Sequence, residues 1–402
     1  MDHVTASTES HGRPSAMLAR LLLPACILNV SAGLLYAWSL FLLPLERALQ
    51  VDRGSLSLVP SLAIATFTAG MIFCPWLVRR TNWRIYLAIV YGCMSVGFLW
   101  FGRMPSFASL LFGYGVVFGL GAGLAYGLAL VFATSVSAQA RALAIGVTVG
   151  AFAISGILMP PLFGNLIAAS PPSQVFTSIG IGCIALGILI QILVRVVPGI
   201  VSAEAVGQGA ADVSIGRDFM KLFSIFFFIN FIGLMSVSQI SGITSSSGSS
   251  GAVASWATSL FTFGYLLGSL GGGWVAERLG GRLTLIAAGV AMIAGLLAFS
   301  TKLSWLLLSG AITIGLAFGS GASFMPMLIS SRFGAERVSQ VYGRMMIAFG
   351  AAGLLAPWFS GFLYARTGTY TPSLVIGSVM AAMAIAVGGT FRTRGQAWPI
   401  RK

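Results

Sequence analysis

Residues 146–164 read GVTVGAFAISGILMPPLFG, and residues 343–361 read GRMMIAFGAAGLLAPWFSG. Gly146, Gly156, Pro160 and Gly164 fall opposite Gly343, Gly353, Pro357 and Gly361 at a constant offset of 197 positions. A second set, Gly70, Trp76, Arg80 and Arg84, falls opposite Gly268, Trp274, Arg278 and Arg282 at an offset of 198. Repeated matches at one spacing, a proline among them, mark an internal duplication. The matched residues sit in or at the ends of apolar runs long enough to cross a bilayer as helix, for which about 20 residues suffice. The duplicated unit is therefore a set of membrane-crossing segments, repeated in parallel.

The rest of the chain extends that reading. Of its 402 residues 57% are hydrophobic and 8% charged, where a soluble domain carries roughly a quarter charged residues. Apolar runs recur at 17–43, 55–78, 84–103, 106–134, 143–168 and 174–197, and again at 219–242, 252–277, 282–300, 303–330, 339–365 and 371–391. They exceed the roughly ten-residue strands of a membrane barrel and lack alternation at period two, so they are helices. The expected fold class is an all-α membrane protein with twelve transmembrane helices in two six-helix repeats. Its expected parts are a cytoplasmic tail 1–16, a bundle 17–197, a linker 198–218, a second bundle 219–391 and a tail 392–402. The linker is the most polar internal stretch, with Glu204, Gln208, Asp212, Arg217 and Asp218.

The formal charge of +14 does not point to nucleic acid, because the basic residues sit at joints between apolar runs rather than on one exposed face. With the N-terminus inside, eighteen Lys and Arg fall on the inner side and five on the outer, the five being Arg47, Arg53, Arg103, Lys302 and Arg366. Such a bias predicts both termini in the cytoplasm. The chain is expected in a plasma membrane, of the bacterial inner-membrane kind. Residues 1–16 lack the pattern of a cleaved signal peptide. Cys26, Cys74, Cys93 and Cys183 lie inside apolar runs without metal spacing, and His3 and His11 lie in the tail, so no metal site and no cofactor is expected. Gly113, Gly115, Gly119, Gly121 and Gly123 follow no strand and suit close helix packing better than a nucleotide-binding loop.

At the end of the eighth run stands GGGWVAERLGGR, residues 271–282. This stretch resembles the signature loop of the major facilitator superfamily, with Gly273, Glu277, Arg278, Gly280 and Arg282 in the expected places. The resemblance implies the major facilitator fold and a conformational latch formed by Gly273, Glu277, Arg278 and Arg282, in which carboxylate and guanidinium pair across the cytoplasmic seam. The first-half copy, Trp76 to Arg84, lacks the acid and the glycines. Ala32 to Glu46 and Arg141 to Ile167 look most like the oxalate/formate antiporter and monocarboxylate transporter branch. That branch implies a small carboxylate as substrate. By register, however, Ser269 and Phe349 stand where the oxalate exchangers carry basic residues, so a dianion is not the expected substrate.

All nine acidic residues fall in tails or near run ends, which argues against proton relay through a midplane carboxylate and leaves facilitation, exchange or coupling through an end residue such as Glu46. Helical spacing places Asn29, Gly33 and Tyr36 on one face of the first run, and Ser255, Thr262, Tyr265 and Ser269 in one stripe of the eighth. With Tyr126, Asn230 and Arg344, the residues Asn29, Tyr36, Thr262, Tyr265 and Ser269 are the candidate substrate-binding set. The same residue types also bond neighbouring helices or their own backbone. Arg344 lies about 8 Å into its helix at 1.5 Å per residue, a depth from which it either snorkels to the surface or faces an anion at the path's mouth. No catalytic residue is expected, and the chain is not read as an enzyme. The expected function is secondary active or facilitative transport of a small organic acid by a monomer, through alternating access between two bundles. The competing readings are a broad exporter of drugs or metabolites and a membrane sensor that moves nothing.

Overall fold

The computed structural model describes residues 14–135, 138–194, 216–334 and 337–390. The expected tails and the 198–218 linker lie wholly or largely outside these residues. Among them, twelve helices are long and apolar enough to cross a membrane: α1 (Leu21–Leu49), α2 (Arg53–Arg80), α3 (Trp83–Arg103), α4 (Phe107–Thr134), α5 (Ala144–Ile167), α6 (Pro172–Leu193), α7 (Arg217–Ser246), α8 (Gly251–Leu279), α9 (Gly281–Phe299), α10 (Ser304–Phe333), α11 (Gln340–Thr367) and α12 (Thr371–Gly389). No strand occurs among the described residues. The protein is a multi-pass, all-helical membrane protein.

Short polar joints set the helix ends. Asp52 caps α2 by accepting from the Ser55 amide at 3.0 Å, and Asn82 caps α3 through the Ile85 amide at 2.9 Å. Each satisfies a backbone donor that the first turn leaves open. Between α8 and α9 the chain turns at Gly280, whose φ of +76° suits a residue without Cβ. Two helices depart from regular α geometry inside the span. α1 tightens into a 3₁₀ turn over Gly33–Ala37, and α4 widens into a π turn over Gly113–Phe118. Periodicity alone predicts neither.

The outer faces carry exposed Ile72, Phe73, Leu162, Leu166, Ile192 and Leu297, as helices bathed in lipid require. Trp76 and Trp274 are exposed near one end of the bundle, and Trp100, Trp256 and Trp305 near the other. Tryptophan at both ends of an apolar band marks the two membrane interfaces. The end where α1 and α7 begin and α6 and α12 finish is called here the linker end, and the opposite one the far end.

Packing repeats between the halves. α2 lies on α4 as α8 lies on α10, α1 on α5 as α7 on α11, and α3 on α6 as α9 on α12. Within each half the closest approaches are made at glycine. A methyl group on Gly123 would overlap the Phe67 carbonyl, and one on Gly319 the Tyr265 carbonyl. Phe67 and Tyr265 are themselves separated by the 198-residue offset.

The halves meet along two seams, α5 on α8 and α11 on α2. Gly156 packs on Thr262 and Gly164 on Ser255 in one seam, while Gly353 packs on Ile64 and Gly361 on Ser57 in the other. Four of the glycines that reveal the duplication in the sequence, Gly156, Gly164, Gly353 and Gly361, are thus contact points between the two bundles. Small residues let the helices approach closely and leave few side chains to interlock.

Candidate substrate cavity

Between the bundles, about halfway along the helices, lies a cavity of about 60 Å³. Its fourteen lining residues include nine aromatic ones, and none is Asp, Glu, Lys, Arg or His. Tyr36, Phe67, Tyr126 and Phe152 come from the first half, and Phe226, Tyr265, Phe318, Tyr342 and Phe349 from the second. The rings brace each other edge to face. Tyr36 meets Phe152 at 4.8 Å and Tyr265 at 5.4 Å between centroids, and Tyr126 meets Phe67 at 5.4 Å and Phe152 at 5.6 Å. Such contacts fix ring orientation as well as burying area. A smaller void of about 20 Å³ adjoins, sharing Tyr36, Phe67, Phe152 and Phe349.

The polar content of the cavity is four phenol groups and one amide. Tyr36 and Tyr126 from the first half and Tyr265 and Tyr342 from the second line this one space. Asn230 lines the same space and returns its amide N–H to the Phe226 carbonyl at 2.6 Å. Tyr36 leaves the 3₁₀ turn of α1, where Gly33 lies against the Phe152 carbonyl. The local tightening of α1 and its close approach to α5 therefore aim the Tyr36 ring.

The other candidates are placed differently. Asn29 is fully buried and donates to the Thr148 carbonyl at 2.6 Å, joining α1 to α5 inside the first half. The Thr262 hydroxyl donates to Thr258 and Ser259 carbonyls at 2.9 and 3.0 Å, and the Ser269 hydroxyl to Leu266 at 2.9 Å. Each spends its hydrogen on its own helix. Asn29, Thr262, Ser269 and Arg344 are not among the residues lining the cavity, and Arg344 is half-buried near the linker end of α11. Phe349, which the register sets at a position basic in oxalate exchangers, puts a ring against Phe67 at 6.3 Å.

The expected latch is not engaged in this conformation. Arg278 lies over the Trp274 ring at 4.0 Å, and Glu277 and Arg282 are exposed with no ion pair among the described residues. Arg80 repeats the arrangement over Trp76 at 5.3 Å. Among the described residues, the ionic contact at this end is Arg332 to Asp218 at 2.5 Å, which joins α10 to α7 within the second half. The pairing across the seam expected of Glu277 and Arg278 requires the bundles to meet at the linker end. The cavity lining instead runs toward that end through Met71, Leu130, Ala322 and Met346.

The far end is closed by polar contacts between the halves. Gln239 of α7 donates to the Ser57 hydroxyl at 2.8 Å and accepts from the Tyr370 hydroxyl at 3.0 Å. Arg53 pairs with Glu46, donates to the Tyr370 hydroxyl at 3.1 Å and lies over the Tyr364 ring at 4.3 Å. Ser61 accepts from the Trp358 amide at 2.9 Å, and the Ser39 and Thr258 hydroxyls meet at 3.1 Å. The sequence places Arg53 in a joint, yet its side chain is 8% exposed. Glu46 stands seven positions away, but Tyr364 and Tyr370 come from the other half, so no local pattern announces the whole set.

One solved structure, a bacterial homolog to the human lysosomal transporter Spinster in an inward-facing and occupied conformation, superposes with a TM-score of 0.70 over 94% of this chain and 97% of its own, at 16% identity. The chain shares the fold of that structure. The same bacterial homolog in an inward-facing and unoccupied conformation gives a TM-score of 0.67 over 95% of this chain and 97% of its own, again at 16% identity. Residues 222–401 match the Major Facilitator Superfamily in sequence, so the second bundle carries the family signal most clearly. A facilitated glucose transporter, member 8 of solute carrier family 2 from Bos taurus, is 28% identical over 111 residues. That match covers 27% of this chain and 23% of the relative's length. In this fold the tyrosine-lined cavity lies where the two bundles face each other.

Proposed function

We propose that the chain is a secondary or facilitative transporter that carries a small organic acid of the monocarboxylate kind, by alternating access of one cavity to either end. The observation that carries this reading is the gathering of four tyrosines, two from each bundle, around a space without charged lining. An ionised carboxylate offers about four acceptor positions and no donor, and four phenols offer four donors. Hydrogen bonds to an ionised acceptor are shorter and stronger than neutral ones. The aromatic walls suit an apolar body behind the acid group. A second negative charge would find no countercharge there.

Volume points the same way. A space of about 60 Å³ admits a few waters, at about 10–15 Å³ each on the same measure, and so a solute of few heavy atoms in this conformation. A broad drug exporter would be favoured instead by the nine rings of the lining, and it would be expected to bind bulky aromatics more tightly than small acids. Charge sets the orientation. Arg79, Arg80, Arg84, Arg217, Lys221, Arg278 and Arg282 gather at the linker end, which the positive-inside rule assigns to the cytoplasm together with both termini. The far-end contacts then close the outer side, and the structure is an inward-facing state. Each chain carries a whole path between its own bundles, so a monomer suffices.

The test is uptake of labelled propionate, lactate and benzoate into proteoliposomes. Saturable monocarboxylate uptake that Tyr265→Phe and Tyr126→Phe both weaken is the expected result. Uptake of bulky cations or of sugars with no response to monocarboxylates would overturn it.

A further inference from the structure

A larger basin, of about 650 Å³, lies at the far end between the end of α1, the α5–α6 joint and the α7–α8 joint. Seven of its eighteen lining residues are serines, and Arg47 is the one charged residue among them. Arg47 is exposed, and its guanidinium takes part in no ion pair among the described residues. Asn165 adds a side-chain amide. Ser39 forms the floor, its hydroxyl held to Thr258 at 3.1 Å, and one residue deeper the Ser259 hydroxyl donates to the Ile157 carbonyl at 3.0 Å. These two contacts cross between the halves and separate the basin from the tyrosine-lined cavity.

One group in the basin lacks what burial demands. Ser241 lines it at 4% exposure, and its hydroxyl has no hydrogen-bond partner. Buried hydroxyls are nearly always paired. A hydroxyl that is buried, unpaired and set in the wall of a cavity marks a place for a ligand atom. The other serines offer donors around it, and the Arg47 fork matches a carboxylate in shape and charge.

We infer that this basin is a second, outer binding site for a small carboxylate, in which Arg47 holds the charge and Ser241 with the neighbouring hydroxyls completes its hydrogen bonds. The choice of a carboxylate rests on the organic-acid reading of the central cavity, but the site itself does not. Solute held there stands directly above the Ser39–Thr258 contact and enters the path when the far end opens. One positive charge at the mouth also raises the local concentration of anions.

The test uses purified protein and a cysteine in place of Ser245, an exposed lining residue. Alkylation of Ser245→Cys by a maleimide is followed with propionate as the probe, sorbitol as the uncharged control and the parent protein as background for its four cysteines. At twice its dissociation constant the acid leaves one third of the sites free, so alkylation is expected to slow about threefold. Arg47→Gln should remove the protection and Ser241→Ala weaken it, both with an unchanged thermal midpoint. Tyr265→Ala, which strips the central cavity, should leave it intact. Equal rates with and without propionate would overturn the inference. So would protection that survives Arg47→Gln, that sorbitol matches, or that disappears in Tyr265→Ala. Because protection is read without transport, failure of the central organic-acid reading shows in uptake and failure of the outer site shows in labelling.

Discussion

Arg53 donates to the hydroxyl of Tyr370, 317 positions away, at 3.1 Å, and so ties α2 of the first bundle to the turn between α11 and α12 of the second. Burial pushes the Tyr370 phenol far above its ordinary range, so the group stays protonated at any physiological pH and can donate onward to Gln239. Tyr370→Phe leaves an arginine donor and an amide oxygen without their partner in a buried place. The expected cost is about 1–3 kcal/mol of stability, read as a lower thermal midpoint of the purified protein. An unchanged midpoint would mean that the far end does not depend on this contact.

Thr262→Val and Ser269→Ala are expected to change transport by less than a factor of two, since both hydroxyls bond their own helix. Tyr265→Phe, whose lost hydroxyl belongs to the cavity cluster, should raise the KM for a monocarboxylate well beyond that. Measured side by side in proteoliposomes, equal effects of all three would contradict the assignment.

Gly319→Ala forces a methyl group against the Tyr265 carbonyl. Overpacking of this kind costs about 1–3 kcal/mol, and here it also displaces a ring of the cavity. The variant should lose both thermal stability and uptake. Gly343→Ala, with open space around it, is the control that should lose neither.

Oxalate should not be taken up, because the central cavity lining holds no positive charge for a second carboxylate. Saturable uptake of labelled oxalate at a rate equal to that of propionate would be the contrary result.

Asp52 caps α2 through two bonds from Ser55, which hold its carboxyl below the usual carboxylate range. A depressed folded-state pKa contributes stability that is present above the unfolded value, about 3.9, and is lost as pH falls through the folded one. The cap should therefore leave stability flat from pH 5 to 8 and weaken it only under stronger acid. Comparison of thermal midpoints for the parent and Asp52→Asn across that range is the check.

The twelve helices were legible because each apolar run is long, and the halves because glycine and proline repeat at one spacing. The cavity was legible only where polar residues stand out against apolar ones, as at Tyr36, Tyr126, Asn230 and Tyr265. Phe67, Phe152, Phe318 and Phe349 line it too, but phenylalanine occurs 28 times in the chain and serves lipid, core and cavity alike. A signal did exist. Phe152 and Phe349 stand at the 197 offset, and Phe67 and Tyr265 at 198, so equivalent positions in the two halves are aromatic. The direction of a hydroxyl is a matter of rotamer, which spacing does not fix, and so Thr262 and Ser269 share a stripe with Tyr265 without reaching the cavity. The far-end contacts of Arg53 were hidden for another reason, since Glu46, Tyr364 and Tyr370 converge on it only through tertiary structure.

The two glycine seams pair equivalent surfaces, α5 on α8 and α11 on α2, in the manner of an isologous dimer interface. A six-helix ancestor associating with its own copy would already have possessed both. Such a pair is bound to present identical walls to whatever lies on its axis. Joined in one chain, the copies are free to diverge, and Tyr126 and Ala322, each three positions beyond the matched glycines Gly123 and Gly319, show that they have. That divergence makes a symmetric space into a handed one, able to tell the head of a solute from its tail.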